Sequence, residues 1–226
     1  TSVAADSAVA LVVSSGNIAY TLSPTSLACD KQALNLASSS KLITLQNTGS
    51  APLPITSVAI TGTNPGQFDR VNGCGTSVPV GANCAIQVTF MPTSTGSKTA
   101  QISIAAGGDA KTVPLSGTGV RSRYSLSQTK IAFGNVARNT TSAARTVKIS
   151  NTGTVVLPIS SIAIVGASPG EFAQTNNCTI QVPVGSDCTV SIVFKPTATG
   201  SKSASLQVSP GGGAAAKSVT LTGNGI

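Results

Sequence analysis

The chain has 226 residues, enough for two domains of about 100 residues that each close an apolar core. Hydrophobic residues make up 40% but charged residues only 9% and aromatics 3%, and histidine is absent, which excludes the Ser-His-Asp and Cys-His arrangements of nucleophilic catalysis and deprives any zinc site of imidazole ligands. Fourteen basic residues against six acidic ones give a net charge of +8, and the longest apolar run, Ala8 to Val13, falls far short of the ~20 residues that cross a bilayer.

Residues 1–19 form an arm that precedes any domain. Ala8, Val9, Ala10, Leu11, Val12 and Val13 make a continuous apolar run, bounded by Asp6 and by Ser14-Ser15-Gly16, that predicts a strand buried on both faces. Val9, Leu11 and Tyr20 stand 104 residues before Val113, Leu115 and Tyr124, so the arm echoes the last strand of the domain that follows. A bare strand with no Lys or Pro to blunt it needs cover. Two arrangements supply it: folding back onto the first domain as an edge strand, or insertion into a neighbouring copy, which builds a head-to-tail homopolymer. The chain starts at Thr1 and its one methionine is Met91, so an export signal is expected to have been removed.

From residue 20 the sequence reads as short strands near 20–29, 41–47, 53–62, 82–91, 97–106 and 110–118, with another around Phe68, each rich in Val, Ile, Thr or Phe and ended by turn residues. Asn47-Thr48-Gly49 is expected to turn through a positive φ at its glycine, as is Gly107-Gly108 in the last hairpin. About seven strands per hundred residues, with no helical period, predict a two-sheet sandwich. The fold class is therefore all-β: two tandem immunoglobulin-like sandwiches, residues 20–119 and 120–226, plus the arm.

The second domain repeats the first at an offset of 104. Tyr124, Asn151-Thr152-Gly153, Pro169-Gly170, Phe172, Cys178, Cys188 and Phe194 match Tyr20, Asn47-Thr48-Gly49, Pro65-Gly66, Phe68, Cys74, Cys84 and Phe90. The register slips by two residues in the last hairpin, where Pro210-Gly211-Gly212-Gly213 enlarges the turn. Cys74 with Cys84, and Cys178 with Cys188, flank a loop containing Pro-Val-Gly, so each pair is expected to bridge and staple a local crossover, worth roughly 3 kcal/mol. Cys29 is left over as the unpaired thiol. Its counterpart is Phe133, which favours a buried, inert thiol, while an odd cysteine in an exported chain also raises an intermolecular bridge.

The motifs Asn-Thr-Gly-Ser-Ala-Pro-Leu-Pro-Ile (47–55), Pro-Gly-Gln-Phe (65–68), Cys74 to Cys84, Val-Thr-Phe-Met-Pro-Thr-Ser-Thr-Gly (88–96) and Leu-Ser-Gly-Thr-Gly (115–119) resemble the Hydin-like, or choice-of-anchor D, family of bacterial immunoglobulin-like repeats. The second copy carries the pattern at 151–159, 169–172, 178–188, 192–200 and 221–225. The resemblance implies a sandwich like that of major sperm protein and an exported, tandem setting at a bacterial cell surface. It implies no catalytic motif.

Function is accordingly expected to be structural and non-enzymatic, with no cofactor and no metal: a subunit of a surface filament or stalk. The alternative is an adhesive module. Residues 1–119 carry a net charge of +1 and residues 120–226 one of +7, so an anionic surface polymer is the partner to expect of the second half. The scarcity of aromatics for base stacking speaks against nucleic acid.

Overall fold

Strand Gly96–Ala106 shows how this sequence makes a sandwich: Lys98, Ala100, Ile102, Ile104 and Ala106 turn inward while the residues between them face outward. The two-residue period of a strand puts the small and β-branched residues on one face, and burying that face holds the layers together. The computed structural model describes residues 16–226, so the predicted strand Ala8–Val13 lies outside the described residues.

The first copy contains β1 (Tyr20–Ser23), β2 (Leu27–Ala33), β3 (Lys41–Asn47), β4 (Leu53–Thr61), β5 (Phe68–Asn72), β6 (Ser77–Val78), β7 (Asn83–Phe90), β8 (Gly96–Ala106) and β9 (Asp109–Val120). The second repeats the series as β10 (Tyr124–Leu126), β11 (Lys130–Val136), β12 (Arg145–Asn151), β13 (Leu157–Val165), β14 (Phe172–Asn176), β15 (Gln181–Val182), β16 (Asp187–Phe194), β17 (Gly200–Pro210) and β18 (Lys217–Gly225). One sheet of each sandwich has the order β1-β3-β7-β5 or β10-β12-β16-β14; the other runs β2-β9-β8-β4-β6 or β11-β18-β17-β13-β15. Each sandwich encloses its own core, centred on Phe68 and Phe90 in the first and on Phe172 and Phe194 in the second.

Three sequence expectations change in detail. The strand read over 20–29 is two strands: β1 pairs antiparallel with β3, and after residues 24–26 the chain joins the other sheet, where β2 runs parallel to β9. Periodicity reads through the break because Tyr20 faces the core from one sheet and Leu27 and Cys29 face it from the other. Each sandwich also gains a two-residue strand, β6 or β15, too short to leave a pattern. Gly49 does not adopt a positive φ, whereas Gly107 and Gly108 do, at 59° and 84°. Gly49 is required by close approach instead: a Cβ there would lie 2.3 Å from the Asn17 carbonyl oxygen.

The two sheets are tied across the core by polar groups as well as apolar ones. The Tyr20 hydroxyl, on β1, donates to the Ile104 carbonyl of β8 at 3.1 Å, and the Tyr124 hydroxyl reaches Val208 and Ala215 carbonyls at 3.3 and 3.1 Å. Asn47 is buried at the end of β3. Its amide donates to the carbonyls of Ala51 and Val78, the latter on β6, and its oxygen accepts from the Gly49 N–H. Asn151 repeats these bonds with Val155, Val182 and Gly153.

Candidate functional site

The most elaborated surface is the junction between the copies, built from the linker Arg121-Ser122-Arg123. Ser122 is buried: its N–H donates to the Gly212 carbonyl and its hydroxyl to the Val156 carbonyl, both at 2.8 Å. Leu34, in the turn after β2, is buried too, forms a backbone bridge with Gly212, and donates its N–H to the Val120 carbonyl at 3.2 Å. The glycines of the β17–β18 loop make room for this contact. A Cβ on Gly212 would lie 2.2 Å from the Ser122 hydroxyl oxygen, and one on Gly213 2.9 Å from Leu34 Cδ1. The two-residue enlargement of that hairpin is thus the part of the second copy that receives the first.

Residues 17–19 lie along the first copy as the linker lies along the second. The Thr48 N–H donates to the Ala19 carbonyl at 2.9 Å, and the Thr152 N–H to the Arg123 carbonyl at 3.1 Å. Asn17 and Ser50 add a reciprocal pair of 2.8 Å bonds. Ile18 takes the place of Ser122 and packs against Gly107, yet remains 41% exposed.

Because Ser122 turns inward, its neighbours Arg121 and Arg123 turn outward together, on the rim of a cleft of about 340 Å³ that also includes Tyr124, Thr152, Ala214, Ala215 and Lys217. Lys217 Nζ stands 4.7 Å from the centroid of the Tyr124 ring and donates to the Tyr124 carbonyl at 2.6 Å. Burial pushes the Tyr124 phenol above its ordinary pKa, with a hydrogen bond from the Lys217 backbone acting in the opposite direction. A groove of about 380 Å³ over β11, β17 and β18 has Lys202 as its one charged group, and in it the Asn224 amide donates to Asn135 Oδ1 at 3.0 Å beside Ser201, Ser203 and Thr222.

The other sequence-predicted residues lie elsewhere. Cys74 is joined to Cys84, and Cys178 to Cys188, each bridge extending the β5–β7 or β14–β16 pairing and closing a loop that visits the opposite sheet as β6 or β15. Cys29 is 4% exposed and unpaired, and burial raises its thiol pKa, with smaller opposing effects from Lys41 and Asp30. Its counterpart Phe133 packs on Phe172 and Phe194. The described carboxylates are dispersed: Asp30 pairs with Lys41 at 3.1 Å, Asp187 with Lys148 at 2.7 Å, and Glu171 accepts from Thr197. Among the described residues no group of three or more His, Cys, Asp or Glu side chains converges as metal ligands would, and no helix is long and apolar enough to cross a membrane. Arg121, Arg123, Lys217 and Leu34 did not stand out as site residues in the sequence. The signal that marks the arginines is the offset of 104, which sets them against Asn17 and Ala19.

Comparison with known proteins bears on the family. Residues 30–119 match the HYDIN/CFA65/VesB-like immunoglobulin-like domain, and residues 118–215 match the ASH domain, described as abnormal spindle-like microcephaly-associated, ASPM-SPD-2-Hydin. No curated protein is detectably similar in sequence. Among solved structures, a Porphyromonas gingivalis protein of unknown function is 13% identical with a TM-score of 0.40, over 91% of this chain and 99% of that one. The ASH/PapD-like domain 7 of human CEP192 is 16% identical with a TM-score of 0.37, over 46% and 84%. The Escherichia coli chaperone DraB is 10% identical with a TM-score of 0.34, over 90% and 95%. The two adjoining domain matches, one on each sandwich, show that the chain belongs to the Hydin-like family of tandem immunoglobulin-like repeats.

Proposed function

We propose that the chain is a non-catalytic structural module of an exported surface filament or stalk, and that its copies assemble by β-strand addition of Ala8–Val13. The observation that carries this reading is the way residues 17–19 are held. The Ala19 carbonyl accepts the Thr48 N–H as the Arg123 carbonyl of the linker accepts the Thr152 N–H, and the linker is the continuation of a final strand, β9. The residues ahead of them carry the pattern of such a strand, Val9 and Leu11 standing where Val113 and Leu115 stand. Val113 and Leu115 are fully buried, so a strand of this kind is made for a sheet.

The edge of β14 suits it. That strand closes one side of its sheet, and Phe172-Ala173-Gln174-Thr175-Asn176 contains no Lys, Pro or charge of the sort that guards an edge, whereas β5 carries Asp69 and Arg70. Main-chain hydrogen bonds would supply the affinity, and the fit of the larger side chains Val9, Leu11 and Val13 on one face of the strand the register. Two bridges in a chain of this size fit an oxidising, extracellular setting.

Electron microscopy and sedimentation of the full chain and of a variant lacking residues 1–15 test the proposal. The full chain is expected to form linear polymers. The truncated protein is expected to remain monomeric with an unchanged far-UV spectrum, and Leu11→Pro, which removes a backbone donor from the strand, to behave likewise. Fibres from the truncated protein would rule the arm out as the link.

A further inference from the structure

We propose that the cleft rimmed by Arg121 and Arg123 and floored by Lys217 is a binding site for the acidic groups of a polysaccharide. Three cations converge there on one opening. Both arginines also line the adjoining depression with Thr152, Gly153 and Thr154, so the two openings share them. None of the three forms an ion pair with a described carboxylate; the pairs present are Lys41–Asp30 and Lys148–Asp187, both elsewhere. Exposed arginines left without an acid on a concave surface concentrate the positive potential and present fork-shaped donors to a carboxylate or sulfate.

The cleft is held open by the fold rather than by a ligand. Ser122 is anchored on both sides, the Tyr124 hydroxyl holds the Ala215 carbonyl at 3.1 Å, and the Arg121 stem packs against the bare backbone of Gly213. The first sandwich supplies an internal contrast. It repeats the lysine and tyrosine, with Lys111 Nζ 4.4 Å from the Tyr20 ring centroid, but has Asn17 and Ala19 where the arginines stand. The first sandwich therefore carries the tyrosine and the lysine without the cationic rim, and the rim, like the enlarged hairpin beside it, belongs to the junction.

The walls narrow the ligand class. Tyr124, the aromatic of the cleft, is 5% exposed and covered by Lys217, so no ring face is free to stack a nucleobase. Ala214, Ala215 and Thr152 offer no large apolar surface for a lipid, while the threonine hydroxyl and backbone groups suit sugar hydroxyls. The site stands apart from the strand-addition reading, since a chain lacking residues 1–15 retains it whole.

Retention of the full chain on immobilised heparin and on polygalacturonate, eluted with salt, tests the proposal; the first probe reads sulfate and carboxylate together, the second carboxylate alone. The protein is expected to bind at least one of them at low ionic strength. R121N/R123A, which installs the residues of the first sandwich, and R121Q/R123Q, which keeps polar side chains on the rim, are both expected to weaken binding at least about tenfold without altering the melting temperature. K130N/K195A removes the same charge elsewhere and is expected to change binding by less than about threefold. Equal losses from the distant and the rim variants would overturn the proposal. So would absence of binding at low ionic strength, or equally tight binding to single-stranded DNA.

Discussion

Lys217 sits over the ring of Tyr124 and hydrogen-bonds to the carbonyl of the same residue, 93 positions earlier in the chain, and Lys111 does the same to Tyr20 across 91 positions. Each lysine comes from the last strand and each tyrosine from the first, so the pair clasps the two ends of a sandwich. Lys217→Met keeps the alkyl stem and removes the ammonium, and is expected to cost about 1 kcal/mol in denaturant unfolding of the second sandwich. Lys111→Met is expected to cost the first sandwich a similar amount. No change in either midpoint would show the ammonium to be a spectator. Both phenols have raised pKa values, chiefly through burial, with Asp109 adding to the effect at Tyr20. A folded pKa above the unfolded one stabilises fully below the ordinary value of 10.0 and is lost as pH rises through the folded value, so unfolding should become easier in strong alkali.

The buried amide of Asn151 donates to two carbonyls and accepts one N–H, joining the 151–155 turn to β15 on the opposite sheet. Asn151→Ala leaves all three partners unsatisfied and is expected to destabilise the second sandwich by about 3 kcal/mol. Asn151→Asp should cost at least as much, since a carboxylate cannot donate to the carbonyls of Val155 and Val182. A near-neutral Asn151→Asp in chemical denaturation would contradict this account.

The disulfides each close a ten-residue separation. Replacing Cys178 and Cys188 together by Ala should lower stability by roughly 3 kcal/mol, the loop-closure entropy returned to the unfolded chain. Melting in the presence and absence of a reductant checks it for both bridges at once. Identical curves, with reduction verified by mass, would show that the crossover needs no staple.

Cys29 is buried and its thiol pKa is raised, so the unreduced native protein should resist alkylation at neutral pH and take up about one label per chain only when denatured. Prompt labelling of the native protein, or a dimer that dissolves on reduction, would instead put this sulfur at the surface.

Much of the fold was legible because the repeat supplied two readings of each element. The offset of 104 paired Tyr20 with Tyr124 and Cys74 with Cys178, and strict alternation marked β8 and β17. What escaped depended on contacts distant in the chain. Residues 20–29 divide between sheets because β2 meets β9 nearly ninety positions later, at Leu27 and Leu115, which local periodicity does not encode. Gly49 was read for its φ when the constraint is the Asn17 carbonyl beside it. At the junction, Arg121 and Arg123 counted in the sequence only toward the charge of +7 on residues 120–226, and their meeting with Lys217 follows from β18 returning to Tyr124. Leu34 gave no sign of burial, since its partner glycines lie in the other sandwich.

Glu171 offers a pH test of how faithfully the two copies share their details. Its carboxylate accepts from the Thr197 hydroxyl and N–H, both at 2.6 Å, and these bonds hold its pKa below the ordinary glutamate value, with the side-chain bond the larger cause. In the first sandwich Gln67 makes the corresponding clip to Thr93, accepting the N–H at 2.7 Å and donating to the hydroxyl at 2.9 Å. A depressed folded pKa contributes stability above the unfolded value of about 4.5 and loses it as pH falls through the folded value, so the clip in the second sandwich should weaken in acid while that in the first does not. Glu171→Gln installs the first copy's residue, preserves the bonds and removes the titration. Hydrogen exchange at the Thr197 amide is therefore expected to accelerate, relative to Thr93, below about pH 4 in the parent chain and to track Thr93 at every pH in the variant. Parallel exchange of the two amides in the parent chain across that range would show that the carboxylate contributes no more than the amide it replaces.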